Sequence, residues 1–113
     1  MSNAQDFITQ LNGIISENLS NENFSVEQLS ESMHMCRMSL YRKTMDVFRQ
    51  PPSALIREKR LEKGKRLLME TDLSIAQISY KIGLQDPNYF SRIFSQDFGI
   101  SPTSFRKQSG NDH

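Results

Sequence analysis

The chain has 113 residues, with 14 lysines and arginines against 13 aspartates and glutamates and a formal net charge of +1 at pH 7. That length is enough for one domain, and the lack of a long apolar run excludes a transmembrane segment, so a soluble chain without membrane contact is expected. With Cys36 the single cysteine and His34 and His113 the two histidines, an internal disulfide is excluded and neither a metal site nor a cofactor is expected.

In chain order, Met1 to Ala4 reads as a start methionine with a Ser-Asn-Ala cloning remnant and is set aside. Phe7, Leu11, Ile15 and Leu19 then recur every four residues, which predicts a helix whose apolar stripe lies as a lid on the core that follows. Residues 1 to 36 hold five acidic residues and no lysine or arginine, while the remainder holds all 14 basic residues against eight acidic ones. Such asymmetry is the electrostatic footprint of a polyanionic partner for the later part of the chain.

A first helix-turn-helix module is predicted over about 24 to 51. Ser25 with Gln28 matches a capping box at a helix start, and Val26, Leu29 and Met33 share that helix's inner face. The second helix runs from about Arg37 to Phe48 and presents Met38, Tyr41, Arg42 and Met45 outward. From Pro52 to Glu70 no turn signal interrupts a run with Leu55, Ile56, Leu61, Leu67 and Leu68 on one side, a helix of about 28 Å at 1.5 Å per residue. Gly64 is its weak point, costing about 1 kcal/mol against alanine unless close packing requires it.

A second module follows over about 74 to 107. Ser74 with Gln77 is another capping box, Ile75, Ile78 and Ile82 form the inner face, and Gly83 occupies the place of a left-handed helix end. Asp86-Pro87 supplies an N-cap and a first-turn proline for the next helix. There Tyr89, Phe90, Ile93, Phe94 and Phe98 follow the helical period, with Asn88, Ser91, Arg92, Ser95 and Gln96 mostly opposite.

The two modules are copies. At an offset of 49, SVEQLSESM lies over SIAQISYKI; at an offset of 50, Leu40 lies over Phe90, Arg42 over Arg92, Phe48 over Phe98, Pro52 over Pro102 and Leu55 over Phe105. Two copies fall short of the three or so that a solenoid needs. A duplicated, homeodomain-like, all-α fold of about seven helices is expected, with the helix over 52–70 holding two recognition helices for major-groove segments about 34 Å apart.

The string RLEKGKRLLMETDLSIAQISYKIGLQDPNYFSRIFSQDFGISPTSFRK resembles the DNA-binding domain of the AraC/XylS family of bacterial transcription regulators, and the likeness extends over about Phe24 to Lys107. The family pattern is met at Ile75, Ile78, Gly83, Tyr89, Phe90, Phe94, Phe98, Gly99, Pro102, Phe105 and Arg106; it is departed from at Ser79, usually alanine, and at Leu84, usually phenylalanine. In the first copy His34 and Arg49 stand where the family commonly has glycine. If those places need positive φ, Arg49 is a poor occupant, so the turn after the first recognition helix is expected to be rebuilt. The acidic leading segment and the LYRK of the first recognition helix also resemble output domains of hybrid two-component regulators.

The resemblance implies sequence-specific binding to double-stranded promoter DNA by a transcription regulator, more often an activator, that contacts RNA polymerase. It further implies a fragment monomeric by itself and dimeric only through domains absent here. Met38, Tyr41, Arg42, Pro87, Asn88 and Arg92 are the base-contact candidates, and Lys43, Ser91, Arg106 and Lys107 the phosphate-contact candidates. Each has a plainer reading beside it: an arginine paired with a carboxylate, a Met or Tyr in the core, an Asn capping its helix, a serine as mere surface. No nucleophile, base and orienting group suggest an enzyme. The competing function is a helical protein-interaction module in which a degenerate helix-turn-helix, signalled by Arg49 and by the near-neutral net charge, no longer binds DNA.

Overall fold

The computed structural model describes residues 4–110 as seven helices: α1 (Ala4–Asn18), α2 (Val26–Ser32), α3 (Arg37–Phe48), α4 (Pro52–Glu70), α5 (Ile75–Lys81), α6 (Pro87–Phe98) and α7 (Pro102–Gly110). The expected cloning remnant falls on residues outside that range, apart from Ala4, which opens α1. The repeat reappears as helix lengths. α2 and α5 have 7 residues each, α3 and α6 have 12 each, and α4 and α7 both begin at a proline, Pro52 and Pro102.

Local chemistry explains these boundaries, and it is sharper in the second copy. The capping box of α5 is complete, the Gln77 amide donating to Ser74 Oγ at 3.0 Å and the Ser74 amide to Gln77 Oε1 at 2.9 Å. At α2 only the forward half forms, with the Gln28 amide 3.4 Å from Ser25 Oγ. Asp86 caps α6 by accepting from the Asn88 amide at 2.9 Å, with Pro87 at the first helical position. At α3 the same task falls to the Cys36 thiol, 3.4 Å from the Ser39 amide. Sulfur is the weaker acceptor.

The helix ends correct one expectation. Gly83 and Gly99 are left-handed, with φ of 86° and 83°, and so are their counterparts His34 and Arg49, with φ of 58° and 60°. The turn after α3 is therefore kept, not rebuilt. Arg49 donates its amide to Met45 O at 3.0 Å as Gly99 does to Ser95 O at 2.9 Å. Holding that C-cap bond in place of glycine costs about 1–2 kcal/mol of side-chain crowding.

Two hydrophobic clusters divide the molecule. The first joins Phe7, Leu11 and Ile15 of α1, with Leu19 just past its end, to Phe24, Leu29, Met33, Leu40, Leu55 and Ile56. Thus α1 is a lid on the first module. The second cluster holds Leu61, Leu68, Ile78, Ile82, Phe90, Ile93 and Phe94, with Phe98 and Phe105 packed against it. α4 feeds its first half to one cluster and its second half to the other, so it is a shared wall as well as a spacer. Gly64 shows why it is shared: a Cβ there would stand 3.1 Å from the Phe90 ring and 3.3 Å from Ile82 Cδ1. The helix forgoes alanine's propensity so that α6 can approach. The whole is elongated, 50 × 24 × 21 Å.

Candidate nucleic-acid interface

The inward residues of α3 and α6 decide which residues face out. Leu40 and Thr44 are fully buried on α3, and Phe90, Ile93 and Phe94 are buried on α6. At 100° per residue, that turns Met38, Tyr41 and Arg42 of α3 and Asn88 and Arg92 of α6 away from the core. Met38 is 62% exposed and Tyr41 48%, so neither belongs to the core. Pro87 and Ser91 are half-buried, while Lys43 and Lys107 are exposed.

By the 50-residue offset, Met38 matches Asn88, Tyr41 matches Ser91 and Arg42 matches Arg92. The two outward faces thus share an arginine and differ at its neighbours. A methionine and a tyrosine offer apolar contact to thymine methyls, an asparagine offers paired donor and acceptor to adenine. Such faces would read two unlike half-sites.

Electrostatics favour an anion on this side. Neither Arg42 nor Arg92 is ion-paired among the described residues, where the salt bridge is Arg57 to Asp97 at 2.8 Å. That bridge neutralises the one carboxylate of α6. Glu17, Glu22, Glu27 and Glu31 are exposed on α1, α2 and the loop between them. Arg92 is also steadied, its guanidinium carbon lying 5.3 Å from the centre of the Tyr89 ring. Lys43 lies 5.2 Å over the Phe7 ring, leaning toward α1.

Two sequence expectations change here. Tyr89 is 38% exposed and stacks with Arg92, although its spacing assigned it to the core; its place three residues before Arg92 is the signal that would have found it. Arg106, expected at phosphate, is half-buried and points inward. Its Nε donates to Leu68 O at 3.1 Å, Nη1 to Leu73 O at 2.6 Å and Nη2 to Thr71 O at 3.0 Å. A guanidinium so placed satisfies the orphan carbonyls at and beyond the end of α4 and complements that helix's negative end. Asn88 gives its backbone amide, not its side chain, to the cap at Asp86.

Cys36 is exposed, and the hydroxyl of Ser39 together with the Ser39 amide holds its thiol below the usual pKa. Among the described residues no group of three His, Cys, Asp or Glu side chains is placed to hold a metal, and no helix is long and apolar enough to cross a membrane.

Comparison with known proteins agrees with this geometry. A family model described as a helix-turn-helix domain matches residues 29–108. Over 95 residues the chain is 32% identical to histidine kinase P4 of Formosa agariphila, covering 84% of this chain and 7% of the kinase. It spans 7% to 30% of the length of the first curated relatives it matches. Among solved structures, the C-terminal domain of the two-component response regulator yesN from Fusobacterium nucleatum is 30% identical with a TM-score of 0.82, covering 93% of this chain and 99% of that one. The DNA-binding domain of the global transcriptional factor AdpA, solved with a target DNA, shares the fold at 23% identity and a TM-score of 0.83, covering 89% and 90%.

Proposed function

Since this chain belongs to the AraC/XylS family of helix-turn-helix transcription regulators, we propose that it binds double-stranded promoter DNA by setting α3 and α6 into adjacent major-groove segments. The observation that carries the reading is the pair of matching arginines, Arg42 and Arg92, outward and without an ion pair among the described residues, on helices of identical length. In this reading Met38, Tyr41, Arg42, Pro87, Asn88 and Arg92 face base edges, and Lys43, Ser91 and Lys107 face phosphates. Tyr89 joins them by holding Arg92.

The Formosa kinase and Fusobacterium response-regulator relatives support a place at the output end of a two-component system, where phosphorylation elsewhere sets DNA occupancy. In this reading the chain activates transcription through RNA polymerase, in the cytoplasm. Its exposed large apolar side chains, Met38, Tyr41, Met69, Tyr80 and Tyr89, are spread over α3, α4, α5 and α6, and a monomeric fragment is the reading we attach to them. The protein-interaction alternative drew on Arg49 and on the near-neutral net charge, and the left-handed turn kept at Arg49 answers only the first of these.

Salt dependence tests the reading. For about six neutralised phosphates, log K should fall with log salt at a slope near −5. Lys107→Gln and Lys43→Gln should each flatten the slope by about one without changing sequence preference. Binding to duplex that is absent at low salt, or insensitive to salt, would replace DNA by a protein partner.

A further inference from the structure

The two modules meet at a second place besides the continuous backbone of α4. Arg57, Arg60 and Gly64 lie at i, i+3 and i+7, one stripe of that helix. Arg57 Nη2 donates to Asp97 Oδ1 at 2.8 Å and to Gln96 Oε1 at 3.1 Å, tying the linker to the end of the second recognition helix. Arg60 Nη2 donates in the other direction, to the carbonyl oxygen of Asn21 at 3.0 Å, in the loop between α1 and α2.

The same guanidinium lies against the turn of the second module. A Cβ on Gly83 would stand 3.1 Å from Arg60 Nη2 and 3.2 Å from its Nε, and it would run into the carbonyl oxygen of Leu19. The turn of one helix-turn-helix therefore rests on the backbone of the other module, with Arg60 wedged beside it. Burial holds the Arg60 guanidinium below its usual pKa, opposed by Tyr89, and its Nε is enclosed without a partner. Beside the joint a cleft of about 640 Å³ is walled by Phe24 from the first module, Arg57 and Arg60 from α4, and Leu84, Tyr89 and Ile93 from the second.

We propose that Arg60, backed by Arg57, is a positioning residue that fixes the register between the two recognition helices and so sets the half-site spacing this chain accepts. The inference rests on the DNA reading above. A single helix joining two bodies lets them swing and twist about it. A contact at a second point, off the helix axis, removes that freedom. Arginine suits the place because its planar fork can donate to a main-chain carbonyl while its stem lies against apolar surface. Neither Arg60 nor Arg57 is among the base or phosphate candidates, so each half-site should be read as before when the joint is loosened.

The test pairs a distance with a binding ratio. In a Cys36→Ser background, spin labels at Gln10→Cys on α1 and Ser104→Cys on α7, both exposed positions, report the separation of the modules. A narrow distance distribution is expected, broadened by Arg60→Met. Inserting one base pair between the half-sites should weaken binding at least about tenfold, as losing one base contact would; in Arg60→Met the penalty should shrink to about threefold. A variant that is merely less stable weakens both duplexes alike and leaves the ratio unchanged. If Arg60→Met does not fold, Arg57→Gln at the half-exposed bridge serves, with the same signs and smaller changes. An unaltered distribution, or a broadened one with an unaltered spacing penalty, overturns the proposal. Failure of every duplex to bind would sink the DNA reading and the register with it, while the distances would still show whether Arg60 joins the modules.

Discussion

The two modules build one fold around different cores. At matching positions the first holds Leu40, Thr44 and Leu55 where the second holds Phe90, Phe94 and Phe105. In the second, Phe94 meets Phe90 at 5.8 Å, Phe98 at 4.6 Å and Phe105 at 5.7 Å between ring centres, and Lys65 covers Phe98 and Phe105 at 5.0 and 5.7 Å. In the first, Thr44 is fully buried and turns its hydroxyl to the carbonyl of Tyr41 at 3.0 Å. The smaller set leaves apolar surface that α1 covers with Phe7, Leu11 and Ile15. A helix-turn-helix of this size thus completes its core either with large rings of its own or with a borrowed helix.

The largest effects should separate those two solutions. Phe94→Ala should cost about 3–5 kcal/mol and Leu11→Ala about 2–5 kcal/mol, each at a fully buried site. Native-state hydrogen exchange should place the first loss in α5 and α6 and the second in α1 to α3. Equal loss across all helices would mean that the cores are one cooperative unit and the comparison has no energetic content.

Next in size is Arg106→Ala, expected to destabilise by about 2 kcal/mol, because three donated bonds to main-chain carbonyls have no counterpart at Ile56, its match in the first copy. Chemical denaturation measures it. A loss of DNA affinity with stability intact would instead return Arg106 to the phosphate contacts.

The helix ends give a smaller pair of opposite sign. Arg49→Gly should stabilise by about 1 kcal/mol and Gly99→Ala should destabilise by about as much, since both residues are left-handed and nothing lies near the Cβ that alanine would add at Gly99. Melting temperatures moving the same way for both would show that the two turns are not equivalent. Smallest is the pair of caps. Asp86→Ala should cost about 1 kcal/mol, and Cys36→Ala only a few tenths, because its sulfur is a weak, exposed acceptor. Comparable losses would give the Cys36 cap a weight its geometry does not suggest.

Much of this fold was legible in the chain because a repeat, caps and prolines are local signals. Pro52, Pro87 and Pro102 each begin a helix, and Gly83 and Gly99 each end one in the left-handed region. The outward placement of Met38, Tyr41, Arg42, Asn88 and Arg92 followed from helical period alone. Legibility failed where a side chain acts across the fold. Arg106 reaches carbonyls more than 30 residues earlier, and Arg60 one 39 residues earlier. Main-chain acceptors have no residue identity, so no pattern announces them. Tyr89 failed for the opposite reason: it sits at the edge of the apolar stripe, where period alone cannot divide core from rim.

The central claim is that one chain carries two readers held in fixed register, and selection of bound duplexes from a randomised library tests it most directly. The account predicts a two-part motif with unlike halves centred about 10 base pairs apart, one turn of the double helix. Arg42→Ala should relax one base position in one half, and Arg92→Ala one position in the other, by about 1–3 kcal/mol each. A motif with a single half, or halves at variable spacing, or an unchanged profile in both variants, would contradict it.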